Sequence, residues 1–306
     1  MSYTTIIKNE MNNIEYSKAE TISELSAIFN IAMHTTKNNI TLLVENISLA
    51  RKIYKDIKSL YYIKPEINKI KINNFKNTSI LEITINQHTE EILSDLSLKK
   101  DGKRIYIPQN YILEDYELKK AYLRGVFLIC GSINDPKTSR YHAEFLIENK
   151  KTAYKVNELL NSLLYKSKVI KRDKTYMVYI KEAEKISDFI KLLNAYNALF
   201  YYEDIRIYRD HKNMTNRLNN CEQANTEKTI YSSNEQLKNI ETIKKNIGLE
   251  LLDPKLLEVI KYKEKYTESS MQELSDIIST ETGKKISKSG INHRFRKIKE
   301  IASKLK

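Results

Sequence analysis

Apolar residues recur along this chain at two spacings, and the order of the spacings repeats. A period near 3.6 marks a helix with one buried side, and a period of 2 marks a half-buried strand. The first run predicts a helix that Ser23 caps and that continues through about Met33, a strand over 40–47 and a helix over 49–62. Strands follow at 66–73 and 79–87 with Asn-rich turns between them, and Thr89 begins another helix. The second run predicts a helix over 117–130, a strand over 141–149 and a helix over 151–164. A hairpin of 167–171 with 175–181 and a helix over 183–195 complete it. Residues 41–62 can be laid over 144–165: Leu43-Val44-Glu45-Asn46 matches Leu146-Ile147-Glu148-Asn149. Ala50, Lys52, Ile53, Ile57, Leu60 and Tyr62 then match Ala153, Lys155, Val156, Leu160, Leu163 and Tyr165 at the same offset. This is the pattern of a duplicated α/β unit.

The remainder is helical. Helices are expected over 235–246 and 254–263, the latter opened by Asp253 at the cap and Pro254 in the first turn. Ser270-Met-Gln-Glu273 has capping-box spacing, and Met271, Leu274, Ile277 and Ile278 then share one face. Gly283 can end that helix. After it, Ile291, Phe295, Ile298, Ile301 and Leu305 make an apolar stripe, with Lys288, Asn292, His293, Arg294, Arg296 and Lys297 between. Helix, short turn and basic helix form the helix-turn-helix plan, whose second helix enters the major groove. From Lys284 to the end there are nine Lys or Arg and one acid, Glu300. The alternative is a solvated basic terminal helix, but the one-signed field and the capped helix before it favour DNA.

The domain reading is therefore 1–98 for the first repeat, 99–116 as a linker with Asp101-Gly102 and Pro108, and 117–210 for the second repeat. A polar linker over 211–226 then leads to a helical DNA-binding domain over 227–306, with the helix-turn-helix at 270–304.

Composition narrows the partners. The 306 residues are 41% hydrophobic and 30% charged, as in folded globular proteins, and carry a formal net charge of +13. Such a balance points to an anionic polymer or surface. Neither a membrane span nor a signal peptide is expected, and a cytoplasmic, nucleoid-associated protein is. Two cysteines, Cys130 and Cys221, make neither a disulfide framework nor a four-ligand zinc site. The five histidines lack metal spacing, and no Gly-rich phosphate loop is present, so no cofactor is expected. The 21 tyrosines admit a base-stacking reading, with RNA as the target, but Tyr61, Tyr62, Tyr176 and Tyr179 fit packing better.

A second motif lies in 117–136: Ala121-Tyr-Leu-Arg-Gly-Val-Phe-Leu-Ile-Cys-Gly131-Ser-Ile-Asn-Asp-Pro136. Ala121 and Gly125 make a small-residue face for close helix contact, and Gly131 suits a helix stop. Together with Ser287-Lys-Ser-Gly-Ile-Asn-His-Arg-Phe-Arg-Lys-Ile298, this motif resembles the WhiA family of bacterial sporulation and cell-division regulators. The match covers nearly the whole chain, and Glu24-Leu-Ser-Ala27 is similar to the corresponding point of the first repeat. The resemblance implies an α+β fold: two LAGLIDADG homing-endonuclease-like repeats, each αββαββα, followed by an all-α helix-turn-helix domain. It further implies a DNA-binding regulator acting in cell division and chromosome segregation, or in sporulation.

In active nucleases of that fold each motif helix ends in a metal-binding acid. Alignment puts those acids at Ala32 and Cys130, neither of which can ligate Mg²⁺, and Met33 replaces the first motif's final glycine. Asp135 could be offered as a substitute, but Asp before Pro in a turn is better read as structural. The chain is accordingly expected to be a non-enzymatic binder of double-stranded DNA. A metal-dependent homing endonuclease with non-standard acids is the alternative, and a protein partner on the scaffold is left open. Lys288, Ser289, Asn292, His293 and Arg294 are expected to face the groove, and Lys284, Lys285, Arg296, Lys297 and Lys299 the phosphates. On this reading Arg294→Ala weakens specific binding more than non-specific binding.

Overall fold

The computed structural model describes residues 1–35, 39–71, 79–138 and 140–305. They form two compact units, Met1–Arg209 and Asp210–Lys306.

The first unit opens with α1 (Tyr3–Met11), capped by Ser2. The first repeat then runs α2 (Lys18–Ala32), β1 (Met33–Thr35), β2 (Ile40–Val44), α3 (Ile47–Tyr61), β3 (Glu66–Lys71), β4 (Ser79–Ile85) and α4 (Thr89–Asp95). A short hairpin, β5 (Lys99–Lys100) with β6 (Lys103–Arg104), and a 3-10 turn, Asn110–Ile112, follow where a plain linker was expected. The second repeat is α5 (Tyr116–Cys130), β7 (Gly131–Ile133), β8 (Ala143–Ile147), α6 (Lys150–Ser162), β9 (Lys168–Arg172), β10 (Thr175–Ile180) and α7 (Ala183–Leu192). Each repeat is αββαββα and contains one antiparallel four-stranded sheet, in the orders β1-β2-β4-β3 and β7-β8-β10-β9. The internal alignment holds in space, since β2 corresponds to β8 and α3 to α6 at one offset, and β2 and β8 share the same alternation of buried and open positions. The Asn-rich turn expected between β3 and β4, with Ile72 and Asn73, lies outside the described residues.

Ser23 caps nothing. The cap of α2 is Ser17, in a reciprocal box with Glu20, which satisfies amides that a bare helix end would leave open. Ser23 lies buried on the next turn, where its hydroxyl is 2.9 Å from the Ile112 carbonyl and 2.8 Å from that of Leu118. A serine one turn into an apolar pattern imitates a cap in sequence, and here it ties α2 to the start of α5.

The two motif helices, α2 and α5, cross at Gly125. A Cβ there would lie 2.3 Å from the Glu24 carbonyl oxygen and 2.9 Å from the Ala27 Cβ. The small-residue face of α5 is thus a helix contact. Gly131 ends α5 but at φ −83°, so left-handed freedom is not its use. Its missing side chain makes room for the Phe127 ring, 2.2 Å from where a Cβ would be. Beside the crossing lies a buried ionic network. Arg124, 1% exposed, meets Glu20 at 3.1 Å and Glu24 at 3.4 Å, and stacks 3.7 Å over the Tyr16 ring. Lys52 of α3 reaches Glu24 at 2.5 Å and Asp56 at 2.8 Å. Burying any of these charges alone would cost several kcal/mol, so the set stands or falls together. Leu25, Phe29, Leu123, Phe127, Phe145 and Phe189 pack around it in one apolar core.

The expected linker 211–226 is helical. It lies within α8 (Tyr196–Asn246), a helix of 51 residues whose stretch 210–228 is exposed on every side. With no apolar stripe the stretch reads as a loop, yet it contains no Gly or Pro to break a helix that neighbouring turns propagate. The second unit continues with α9 (Pro254–Lys265), α10 (Met271–Thr282) and α11 (Lys288–Ser303). Ile240 and Ile243 of α8 pack with Val259, Ile260, Leu274, Ile278, Ile291, Phe295 and Ile298 in a second core.

Gly125→Ala is expected to lower the urea midpoint of the chain. Overpacking costs about 1–3 kcal/mol, which outweighs the roughly 1 kcal/mol by which alanine favours a helix. An unchanged or higher midpoint would mean that α2 and α5 are not this close.

Candidate DNA-binding face

The second unit fixes its last helix from three directions. Ser270 and Glu273 cap α10 reciprocally, and Gly283 ends it at φ +68°, a left-handed conformation that only glycine adopts without strain. The turn that follows is pinned to α10. Ser275 donates to the Ile286 carbonyl at 2.7 Å, and the Ile286 amide donates to the Ser279 hydroxyl at 3.1 Å. Ser287 then caps α11 by accepting from the Gly290 amide at 3.1 Å. Ile291, Phe295, Ile298 and Ala302 bury one side of α11 against α9 and α10.

Helical geometry at 3.6 residues per turn sorts the other side chains. Opposite the buried line stand Ser289, His293 and Arg296, all exposed, with Glu300 one turn further on. Lys288, Asn292 and Lys299 occupy one flank of that line, and Lys297 lies on the other side of it. Lys284 and Lys285 are exposed in the turn. No ion pair engages any of these cations among the described residues.

Arg294 departs from the expectation. It lies on the far flank and turns back to α9, where Nη1 donates to Glu258 Oε2 at 2.8 Å and to the Lys255 carbonyl at 3.2 Å. Its side chain is 20% exposed. Sequence spacing set Arg294 toward the groove and Arg296 toward the phosphates, and it gave no sign of the carboxylate that claims Arg294, which comes from a helix 36 residues away. The exposed arginine of α11 is therefore Arg296, and Arg294 is turned inward.

Neither motif helix ends in an acid. Ala32 closes α2, and Cys130 closes α5 with its thiol 3.3 Å from the Val126 carbonyl. Burial pushes the Cys130 thiol up to about 12, with Lys8 opposing, so near neutral pH it stays protonated. Among the described residues no three His, Cys, Asp or Glu side chains are grouped as a metal would need. Asp135 is a turn residue, accepting from the Lys137 amide at 2.9 Å and from the Tyr201 hydroxyl at 3.2 Å. The strand tyrosines are used in packing: Tyr176 lies against the core and Tyr179 is 9% exposed beside His142. No helix among the described residues is long and apolar enough to cross a membrane.

Comparison with known proteins identifies three matching family models along the chain. Models described as the WhiA N-terminal LAGLIDADG-like domain, the WhiA LAGLIDADG-like domain and the WhiA C-terminal HTH domain match residues 17–99, 119–212 and 215–302. The "Probable cell division protein WhiA" of Staphylococcus aureus (strain JH9) is 37% identical over 310 residues, covering 100% of this chain and 98% of that protein. The chain belongs to the WhiA family. The protein of the same name from Staphylococcus aureus (strain Newman) matches with the same figures. Among solved structures, full-length DUF199/WhiA from Thermatoga maritima superposes with a TM-score of 0.60 at 23% identity, over 99% of each chain. The N-terminal LAGLIDADG domain of DUF199/WhiA gives 0.51 at 22% identity, over 62% of this chain and 89% of that one. Both show a shared WhiA fold.

The protonated state of the half-buried Cys130 is directly testable in this WhiA-family chain. Brief alkylation with iodoacetamide at pH 8 should modify exposed Cys221 and leave Cys130 unmodified in the native protein, with both modified after denaturation. Equal rates at the two sites, read by peptide mass spectrometry, would contradict the burial.

Proposed function

We propose that this chain is a sequence-specific binder of double-stranded DNA, a transcription regulator serving cell division and chromosome segregation. In this reading its homing-endonuclease-like unit is a scaffold without catalytic activity. The observation that carries the reading is the outer face of α11. Ser289, His293 and Arg296 present hydrogen-bonding groups in a line, and Lys284, Lys285, Lys288, Lys297 and Lys299 surround them without internal partners. A major groove admits one α-helix, and base edges there are read by such side chains while lysines hold the phosphates. The first unit supports the role of scaffold. By strand alternation its open sheet faces carry Glu66, Glu82 and Glu144 beside Leu43, Leu146 and Ile170, with Lys168 and Arg172 on the second sheet alone. That mixture suits a protein partner better than a phosphate backbone. The relatives named for cell division support the cellular role.

The assignment of α11 is tested by fluorescence anisotropy of the full chain on duplex DNA over a salt series. Removal of a phosphate contact, as in Lys297→Ala, should weaken all sequences alike and lower the salt slope by about one. Arg296→Ala should cost about 1–3 kcal/mol on the specific site and less on random duplex, as expected for a lost arginine–guanine pair. Arg294→Ala should act through stability, lowering the melting temperature before it alters sequence preference. If Arg294→Ala instead relaxes preference in a fully folded protein while Arg296→Ala does not, the face is misassigned. Plasmid incubated with the chain and Mg²⁺ or Mn²⁺ should remain uncut, and nicking would restore the nuclease reading.

A further inference from the structure

The first unit contains a half-open cleft of about 1580 Å³ between α1 and α3, closed at one end by Leu128 and Ile129 of α5. Its size exceeds the roughly 300–1,000 Å³ of most small-molecule sites, and its lining is polar where those are mainly apolar. Two features of the wall lack any internal explanation. Lys8 of α1 lines the cleft, is half-buried, and has no carboxylate at ion-pair distance among the described residues. Its ammonium rests over the Phe127 ring, 5.6 Å from the centroid. Burial holds its pKa below the usual lysine range, with Cys130 and Glu45 opposing. One turn further on, Asn12 lines the same cleft, and both polar atoms of its amide are buried without a hydrogen-bond partner. An unsatisfied buried amide and an unpaired, desolvated ammonium each destabilise an empty protein.

The other charges of the cleft define what would relieve them. Lys52 is held by Glu24 and Asp56, and Lys55 by Glu15 at 2.5 Å across the mouth. Lys8, Lys18 and Arg51 on the wall make no ion pair among the described residues, and Glu45 is the acid beside them. The first amides of α3 offer nothing, since Asn46 already accepts from Ser48 and Leu49. Asn46 also donates to Asn9 at 3.1 Å, joining α1 to the start of α3 and fixing Lys8 and Asn12 in place. We propose that the cleft between α1 and α3 binds a small molecule carrying a phosphate group, with Lys8 and Arg51 on the phosphate and the Asn12 side chain, which must turn toward the cleft to be reached, on a neighbouring polar group. This site is distinct from the DNA-binding face of α11, and the proposal does not depend on that function.

The test is a thermal-shift and calorimetric titration of the full chain with inorganic phosphate, pyrophosphate, a panel of nucleoside mono-, di- and triphosphates, and citrate. Saturable stabilisation by at least one phosphorylated compound is expected. If inorganic phosphate alone suffices, the free ion is the ligand, and if only nucleotides act, the rest of the cleft holds the nucleoside. Lys8→Met should raise the melting temperature of the empty protein and weaken the responding compound at least about tenfold. Asn12→Leu should do the same to a smaller degree, and Arg296→Ala should leave the titration unchanged. The proposal is overturned if no compound gives a saturable shift, or if citrate acts as well as the phosphates. It is equally overturned if the shift survives both cleft variants, or is lost in Arg296→Ala, which would place the anion on α11. Because Lys8→Met is expected to stabilise the fold, a loss of binding through misfolding would show in the same melting curve.

Discussion

How closely two helices approach at Gly125 governs the first unit. With no side chain there, the backbone of α2 at Glu24 rests on α5, and any larger residue would force the pair apart. The neighbouring Arg124 is carried into the contact and buried, and burial of a guanidinium is tolerable only where carboxylates meet it. Glu20 and Glu24 lie on the facing helix at the right height to do so, and Lys52 brings α3 into the same network. One steric allowance thus fixes the register of α2 against α5 and, through charge, the seat of α3.

The motif separates packing from chemistry. The residues that let the helices pack are Ala27, Ala121 and Gly125, and those that would hold a metal fall at the helix ends. This chain retains the first set and has Ala32 and Cys130 in place of the second. A protein can therefore keep the crossing, both sheets and the core without an acid at either helix end. Nothing in the stability of the fold requires the acids, whose mutual repulsion would be a cost without a metal to screen it.

Much of this architecture was legible in the chain. Strand alternation and helical period are local properties, and the match of 41–62 with 144–165 reported the duplicated β2–α3 and β8–α6 units directly. The failures share one physical origin, partners remote in sequence or absent altogether. Ser23 looked like a cap because its true acceptors, Ile112 and Leu118, lie some ninety residues on. The signature that was present, Ser17 with Glu20, is a capping box and could have been found. The 211–226 stretch looked like a linker because a helix exposed on every side leaves no apolar stripe. Arg294 looked free because Glu258 belongs to another helix. The cleft beside Lys8 has no sequence signal, since an orphaned amide is a property of packing alone.

The partition of arginines on α11 bears on how charge should be counted in such domains. A run of basic residues suggests that every cation faces the ligand, yet a helix seated on two others must spend part of its surface on them. Arg294 lies where α11 meets α9, and its pairing with Glu258 removes one positive charge from the face while bracing the helix that presents it. Arg296, two positions on, projects from the opposite side, in line with Ser289 and His293. Orientation of the face thus depends on an ion pair at its back. The helix that presents this line is held by Arg294, by the Ser275 and Ser279 contacts to Ile286, and by the buried line from Ile291 to Ala302. A rigid helix loses little entropy on docking, so a short line of polar side chains can contribute to preference where a mobile basic tail would contribute only affinity.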